Sequence, residues 1–266
     1  MAGAATGSMG GRIVRLEETD STNAEALRRA EAGESGPLWI VAARQSSGRG
    51  RRGRAWVSQP GNLFASLLLG APVPPQLAGQ LSFVAALALH QALCACAPDL
   101  ASRLTLKWPN DVLVDGRKVS GILLERSQTA GGSQGENAAL VAGFGVNCIS
   151  HPVDTPFPAT DLAHEGFAID AGAVFEQLLS CFQRELAAWD TGAGFGAIRD
   201  AWLARAGGIG EEIRVTLPNG EEVRGIFDSI DNDGNLIVHV GEWTRKRISA
   251  GDVFFVARGD VPERGE

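Results

Sequence analysis

The segment Arg103–Glu125, RLTLKWPNDVLVDGRKVSGILLE, decides the fold class. Leu104 and Leu106 alternate with Thr105 and Lys107, the period of a half-buried strand. Trp108-Pro109-Asn110-Asp111 breaks that strand. Val112–Val114, the Asp115-Gly116 dipeptide and Lys118–Glu125 then read as a hairpin, because Asp-Gly suits the positive φ angles of a tight two-residue turn. A regular βαβ chain would place a helix here. The hairpin argues instead for an α+β fold, a mixed sheet with packed helices.

Upstream, Ile13–Leu16 reads as a short strand after a flexible lead-in at residues 1–12. Asp20-Ser21-Thr22-Asn23 opens a helix that runs to about Ala32 and stops at Gly33. Thr22 and Glu25 have the spacing of a capping box. Leu38–Ala43 and Asn62–Leu69 read as strands, and Gln76–Ala97 as a long apolar helix introduced by Pro74-Pro75. Downstream, Ala138–Val146 is a strand, 151–167 is irregular, and helices are expected near Asp170–Trp189 and Phe195–Arg205. Residues 129–135 hold three glycines and read as a loop tip. The pattern changes at Gly207-Gly208. From residue 209 to 266, short strands and turn signals recur, which predicts a small β barrel. The larger, α+β part is thus expected at 13–208.

Composition narrows the function classes. The chain has 266 residues, 44% hydrophobic and 21% charged, as in folded domains. Its net charge of −7 disfavours a general nucleic-acid coat. No apolar run is long enough for a membrane span, and the start lacks a signal peptide's pattern. Cys94, Cys96, Cys148 and Cys181 are too scattered for a disulfide scaffold and read as reduced cytoplasmic thiols. His90, His151, His164 and His239 match no zinc spacing.

Against the acidic background, Gly48-Arg49-Gly50-Arg51-Arg52-Gly53-Arg54 concentrates four arginines in seven residues. Its glycines match G-x-G-x-x-G, but Trp56, Val57, Pro60 and Gly61 follow where a dinucleotide fold needs a helix. What remains is a flexible backbone carrying planar forks for phosphate and carboxylate oxygens. A solvated basic loop and a nonspecific RNA contact are the alternatives. Lys107 and Lys118 flank the hairpin and could hold phosphates. Taken singly, each also reads as a surface lysine.

Together these segments resemble the biotin–protein ligase family. The resemblance rests on Asp20-Ser21-Thr22-Asn23, Gln45, GRGRRGRAW at 48–56, KWPNDV at 107–112, GRKVSGILLE at 116–125 and GFGVN at 143–147. It implies a catalytic domain of the biotin/lipoate ligase kind and an SH3-like C-terminal barrel. It implies that biotin is activated by ATP, with magnesium, to biotinyl-5′-AMP. The biotin then passes to a lysine of a biotin carboxyl carrier domain of a carboxylase. Ser21, Thr22, Asn23, Gln45, Gly48, Arg49, Gly50, Arg51, Lys118 and Gly121 are implied as biotin-binding. Arg51, Arg52, Arg54, Trp56, Lys107, Asn110, Lys118 and Asn147 are implied on the ATP side, with Lys118 and Arg51 catalytic and the magnesium ligands unassigned. Cys148 stands where the family usually has an apolar residue, which predicts a packing change only. Some relatives carry an N-terminal DNA-binding domain. Twelve residues before Ile13 are too few for one, so no DNA partner is expected. Either a monomer or a homodimer fits. The rival readings are a lipoate– or octanoate–protein ligase or transferase, and a non-enzymatic RNA-binding module.

Overall fold

The computed structural model describes residues 4–7, 11–127, 138–241 and 243–256. Eight strands share one sheet: β1 (Ala4–Gly7), β2 (Gly11–Thr19), β3 (Leu38–Gln45), β4 (Leu63–Leu68), β5 (Leu104–Lys107), β6 (Asp111–Val114), β7 (Arg117–Arg126) and β8 (Leu140–Val146). Their spatial order is β1-β2-β3-β4-β8-β7-β6-β5. The β2–β3 pair is parallel and connected through α1 (Thr22–Glu31); the other neighbouring pairs are antiparallel. The mixed sheet expected for an α+β fold is present. Ala4–Gly7, within the stretch expected to be a flexible lead-in, pairs along β2.

Local sequence explains most element ends, with one correction. Helix α1 is capped by Ser21, whose hydroxyl accepts from the Ala24 N–H at 3.4 Å, and not by the expected Thr22–Glu25 box. The cap lies one residue earlier, so Glu25 is out of step with it and pairs with Arg28 and Arg29 instead. The apolar helix α2 (Gln80–Cys96) starts four residues later than its composition suggests. A separate 3-10 turn at Pro75–Leu77 comes first, opened by Pro75 at a position that needs no backbone donor. The predicted turn at Asp115-Gly116 is there, with φ of 47° and 77°. The glycine-rich 129–135 segment lies outside the described residues.

The sheet has two unlike faces. Helices α2 and α3 (Ala171–Trp189) pack on one and build the main core around Trp39, Phe144, Phe175 and Phe182. The Trp39 ring meets Phe175 and Phe182 edge-on at 5.4 and 6.0 Å. The other face is covered by α1 over Val14, Leu38, Ile40, Leu68 and Val141. Short α1 leaves the rest of that face, over β6, β7 and β8, free for other use. After α4 (Phe195–Leu203), strands β9 (Glu212–Thr216), β10 (Glu222–Ile230), β11 (Leu236–Val240), β12 (Thr244–Ile248) and β13 (Asp252–Phe255) form a five-stranded antiparallel sheet, order β12-β11-β10-β9-β13. This agrees with the expected SH3-like module.

Trp39 is 2% exposed and packed on three aromatic rings. Trp39→Ala is expected to lower the unfolding free energy by about 3–5 kcal/mol, read by denaturant titration. A loss under 1 kcal/mol would mean that the core is not centred there.

Candidate active site

Cross-strand register builds the site. Lys107 pairs with Asp111, Asp111 with Gly121, Gly121 with Gly145, and Gly145 with Phe64. A second row runs Leu123, Gly143, Ser66 and Ile40. Residues directly opposite share a sheet face, so both rows lie on the face that α1 covers only in part. The three glycines make that face a floor of exposed backbone. A Cβ on Gly145 would stand 2.5 Å from Trp56 Cε2, and one on Gly143 2.1 Å from Asn23 Oδ1. Both positions admit no side chain.

Lys118 reaches this floor through an irregularity. Leu113 pairs with Lys118 but Val112 pairs with Ser120, so Val119 is an extra residue in β7. In a regular strand, Lys118 and Gly121 would face opposite sides, being three apart. The bulge reverses the parity, and a Cβ on Gly121 would lie 3.2 Å from Lys118 Nζ. Val119 and Ile122 both turn into the main core. The backbone groups displaced by the bulge are satisfied: Lys118 N–H donates to Pro158 O at 2.8 Å, Thr160 N–H to Lys118 O at 2.9 Å, and Asn147 N–H to Val119 O at 2.9 Å.

These parts enclose a cavity of about 430 Å³. One end is polar and carries no net charge, since the Arg49 guanidinium there is paired with Glu125. Gln45 Oε1 accepts from the Thr22 N–H at 2.8 Å and lies 3.1 Å from Thr22 Oγ1, and Ser66 Oγ lies 2.7 Å from Thr22 Oγ1 and 2.5 Å from Asn23 Oδ1. Asn23 Nδ2 donates to Glu125 at 2.8 Å, and Arg49 pairs with the same carboxylate oxygen at 3.3 Å. The other end is cationic. Lys118 Nζ lies 2.5 Å from Asp111 and 5.5 Å from the Trp56 ring centre. Arg51 donates to Asn110 Oδ1 at 3.1 Å. Lys107 is 7% exposed, with its ammonium 4.0 Å from the centre of the Phe157 ring. Burial, the largest influence, lowers its pKa to about 8. The indole N–H of Trp56 is buried and has no hydrogen-bond partner among the described residues, so an acceptor on a bound molecule would satisfy it.

Most residues singled out from sequence meet here. Ser21, Thr22, Asn23, Gln45, Arg49, Gly50, Arg51, Arg54, Trp56, Lys107, Asn110, Lys118, Gly121 and Asn147 line the cavity. Gly48 and Arg52 stand outside it. A Cβ on Gly48 would meet Ser58, Trp56 and Gln45 within 3 Å, so its close approach is to protein. Arg52 turns to Asp252 in β13. Asn147 spends its amide on Thr160 O at 3.0 Å, holding the 158–160 segment that supports Lys118. Cys148 is buried among core residues, and burial pushes its thiol up to about 12, so it stays protonated near neutral pH. Sequence reading missed Asp111, whose signal was its place opposite Lys107, and Gly251, Asp252 and Phe157, which had none.

The sequence matches the biotin/lipoate A/B protein ligase family over residues 15–147 and the biotin protein ligase C-terminal domain over 208–256. It is 46% identical over 248 residues to the biotin–[acetyl-CoA-carboxylase] ligase of Paracoccus denitrificans, spanning 90% of this chain and 99% of that one. It is 32% identical to the bifunctional ligase/repressor BirA of Bacillus subtilis (strain 168), over 93% of this chain and 75% of BirA. The fold superposes on a biotin protein ligase from Aquifex aeolicus in complex with biotin and ATP, with a TM-score of 0.74 and 28% identity, covering 91% and 97% of the two chains. The chain belongs to the biotin/lipoate protein ligase family, and within it to the biotin protein ligases.

The buried lysine gives a pH test. Its folded pKa lies below the ordinary lysine value, so the unfolded chain binds more protons between about 8 and 10.5. The cost of charging Lys107 is therefore complete below pH 8 and is relieved as pH rises through that window. Wild type is expected to gain stability relative to Lys107→Met between pH 7.5 and 9.5, by denaturant titration. Parallel pH profiles for the two proteins would show that Lys107 is well solvated.

Proposed function

We propose that this chain is an ATP-dependent biotin–protein ligase that makes biotinyl-5′-AMP and passes the biotin to a lysine of a biotin carboxyl carrier domain. One observation carries the reading: a single cavity joins a polar end without net charge over a glycine floor to a cationic end formed by Arg51, Arg54, Lys107 and Lys118. Such a cavity fits a ligand with a neutral hydrogen-bonding head, an apolar middle and an anionic tail. Biotin has a ureido ring, a hydrocarbon chain and a carboxylate in that order.

In the first step a biotin carboxylate oxygen attacks the α-phosphorus of ATP, and pyrophosphate leaves. The two anions repel unless a cation lies between them. Lys118 is assigned that role, because bulge and hairpin fix it on a strand and Asp111 orients its ammonium. Its attraction grows as charge builds on the phosphoryl oxygens. Arg51 and Arg54 flank the phosphates, and Lys107 lies deeper on the same side. In the second step the carrier lysine's neutral amine attacks the acyl carbon; AMP leaves and the amine gives up a proton.

Magnesium fits as a companion of the nucleotide. Among the described residues no group of three His, Cys, Asp or Glu side chains forms a metal site. Asp111 offers a hard oxygen at the phosphate end, and one or two carboxylates plus phosphate oxygens are what this ion takes. When bound it would neutralise phosphate charge. The four cysteines are free, and no described helix is long and apolar enough to cross a membrane. The free cysteines support a reducing compartment, which we take to be the cytoplasm. We also propose a division into a catalytic part at 13–208 and a C-terminal part at 209–266.

ATP–pyrophosphate exchange with biotin, lipoate and octanoate in parallel tests the substrate. Exchange is expected with biotin; exchange with lipoate or octanoate and none with biotin would overturn the reading. Lys118→Met keeps the stem and removes the charge, and adenylation should fall by on the order of a hundredfold. Biotin binding should weaken less, since the ureido end is untouched. Adenylation within a few-fold of wild type would remove Lys118 from its role.

A further inference from the structure

The arginine loop, a flexible backbone by its sequence, is contacted from outside. The Gly50 N–H donates to Arg54 O at 2.7 Å, closing a tight turn over Arg51–Gly53. Three side chains then reach the second sheet, about 200 residues away in sequence. Arg52 and Arg54 take one oxygen each of the Asp252 carboxylate, at 3.0 and 2.7 Å. Arg51 donates to Gly251 O at 3.4 Å, and Arg52 also to Pro218 O at 3.4 Å. Asp252 is the first residue of β13, in register with Thr216 of β9, and its neighbour Val253 is buried. The anion is thus held on a strand. Among the described residues no other carboxylate pairs with Arg52 or Arg54.

We propose that Asp252 is a positioning residue: from the C-terminal sheet it holds the arginine loop closed over the phosphate end of the cavity, so that the adenylate is retained. The proposal rests on the ligase reading above. Like charges at Arg51, Arg52 and Arg54 repel one another and would splay the loop when no phosphate is present. A single carboxylate, shared between two of them, offsets that repulsion before any ligand arrives. Burial pushes the Asp252 carboxyl upward, but the arginines outweigh it and hold it below the usual range, so it stays ionised. The same strand also supplies Phe254, stacked on Phe157 at 4.7 Å, and Phe157 lies over Lys107. One strand of the second sheet therefore touches the loop, the 151–161 segment and a phosphate-side lysine. Loop closure then need not draw on the adenylate's own binding energy.

Asp252→Asn keeps the shape and removes the charge; Asp252→Glu keeps the charge. The full-length proteins are loaded with biotin and ATP, and release of biotinyl-AMP into solution is timed without carrier. Asp252→Asn should release it roughly three- to tenfold faster, the scale of losing two partly exposed ion pairs, and Asp252→Glu should stay near wild type. Amide exchange at residues 48–56, without ligands, should rise in Asp252→Asn alone. Melting temperature, read alongside, separates this from general loosening. Release from Asp252→Asn within twofold of wild type overturns the proposal, and so does an equal rise in Asp252→Glu. A lower KM for ATP with unchanged release overturns it too, because the carboxylate would then be competing with phosphate. Should Asp252→Asn fail to fold, exchange at 48–56 in wild type must rise with salt, and a flat response overturns the proposal. Wild type that forms no adenylate sinks the ligase reading instead, while the loop exchange still reports on the contact.

Discussion

The extra residue in β7 is the constraint on which the site depends. With Val119 inserted opposite β6, Lys118 and Gly121 come to one face of the sheet, and Val119 and Ile122 go to the other. The hydrophobic core fixes this arrangement. Returning to a regular register would put Val119 or Lys118 on the wrong side, and an ammonium buried in an apolar core is far costlier than a bulge. The bulge is held by the backbone of Pro158–Thr160 and by Asn147. An irregular segment after β8 therefore has a structural duty, which accounts for the burial of Asn147 and Thr160.

The second determinant is emptiness. Gly121, Gly143 and Gly145 leave the middle of a sheet without side chains, so that the Trp56 ring and the Asn23 amide can lie against it. The short helix α1 covers only the neighbouring part of that face. Its N-terminus, with Ser21 to Asn23, ends where the glycine floor begins, and so the polar end of the cavity is made of the same residues that start the helix.

Charge is distributed in the same economical way. A chain of net charge −7 gathers Arg51, Arg54, Lys107 and Lys118 around one cavity end. Each is restrained by a neighbour: Asp111 for Lys118, Asn110 for Arg51, Phe157 for Lys107 and Asp252 for Arg54. Cations preplaced in a poorly solvated space act strongly on developing charge, since little reorganisation remains when the reaction occurs.

The sequence by itself determined the hairpin, the α+β class, the β module at the C-terminus and the motif residues that converge on the cavity. These are local signals: a period of two in Leu104–Lys107, an Asp-Gly turn, four arginines in seven residues. Short-range sterics and hydrogen bonding write them directly into the order of residues. Only the tertiary structure decided which strand face Lys118 occupies, because parity across a bulge depends on the partner strand. It also decided that Gly48 and Arg52 lie outside the cavity, and that Asp252 reaches the arginine loop. Nothing near Asp252 in the chain marks it. Its partners are about 200 residues away, and long-range charge pairing leaves no local pattern, since it is set by how two sheets pack and not by the spacing of neighbours.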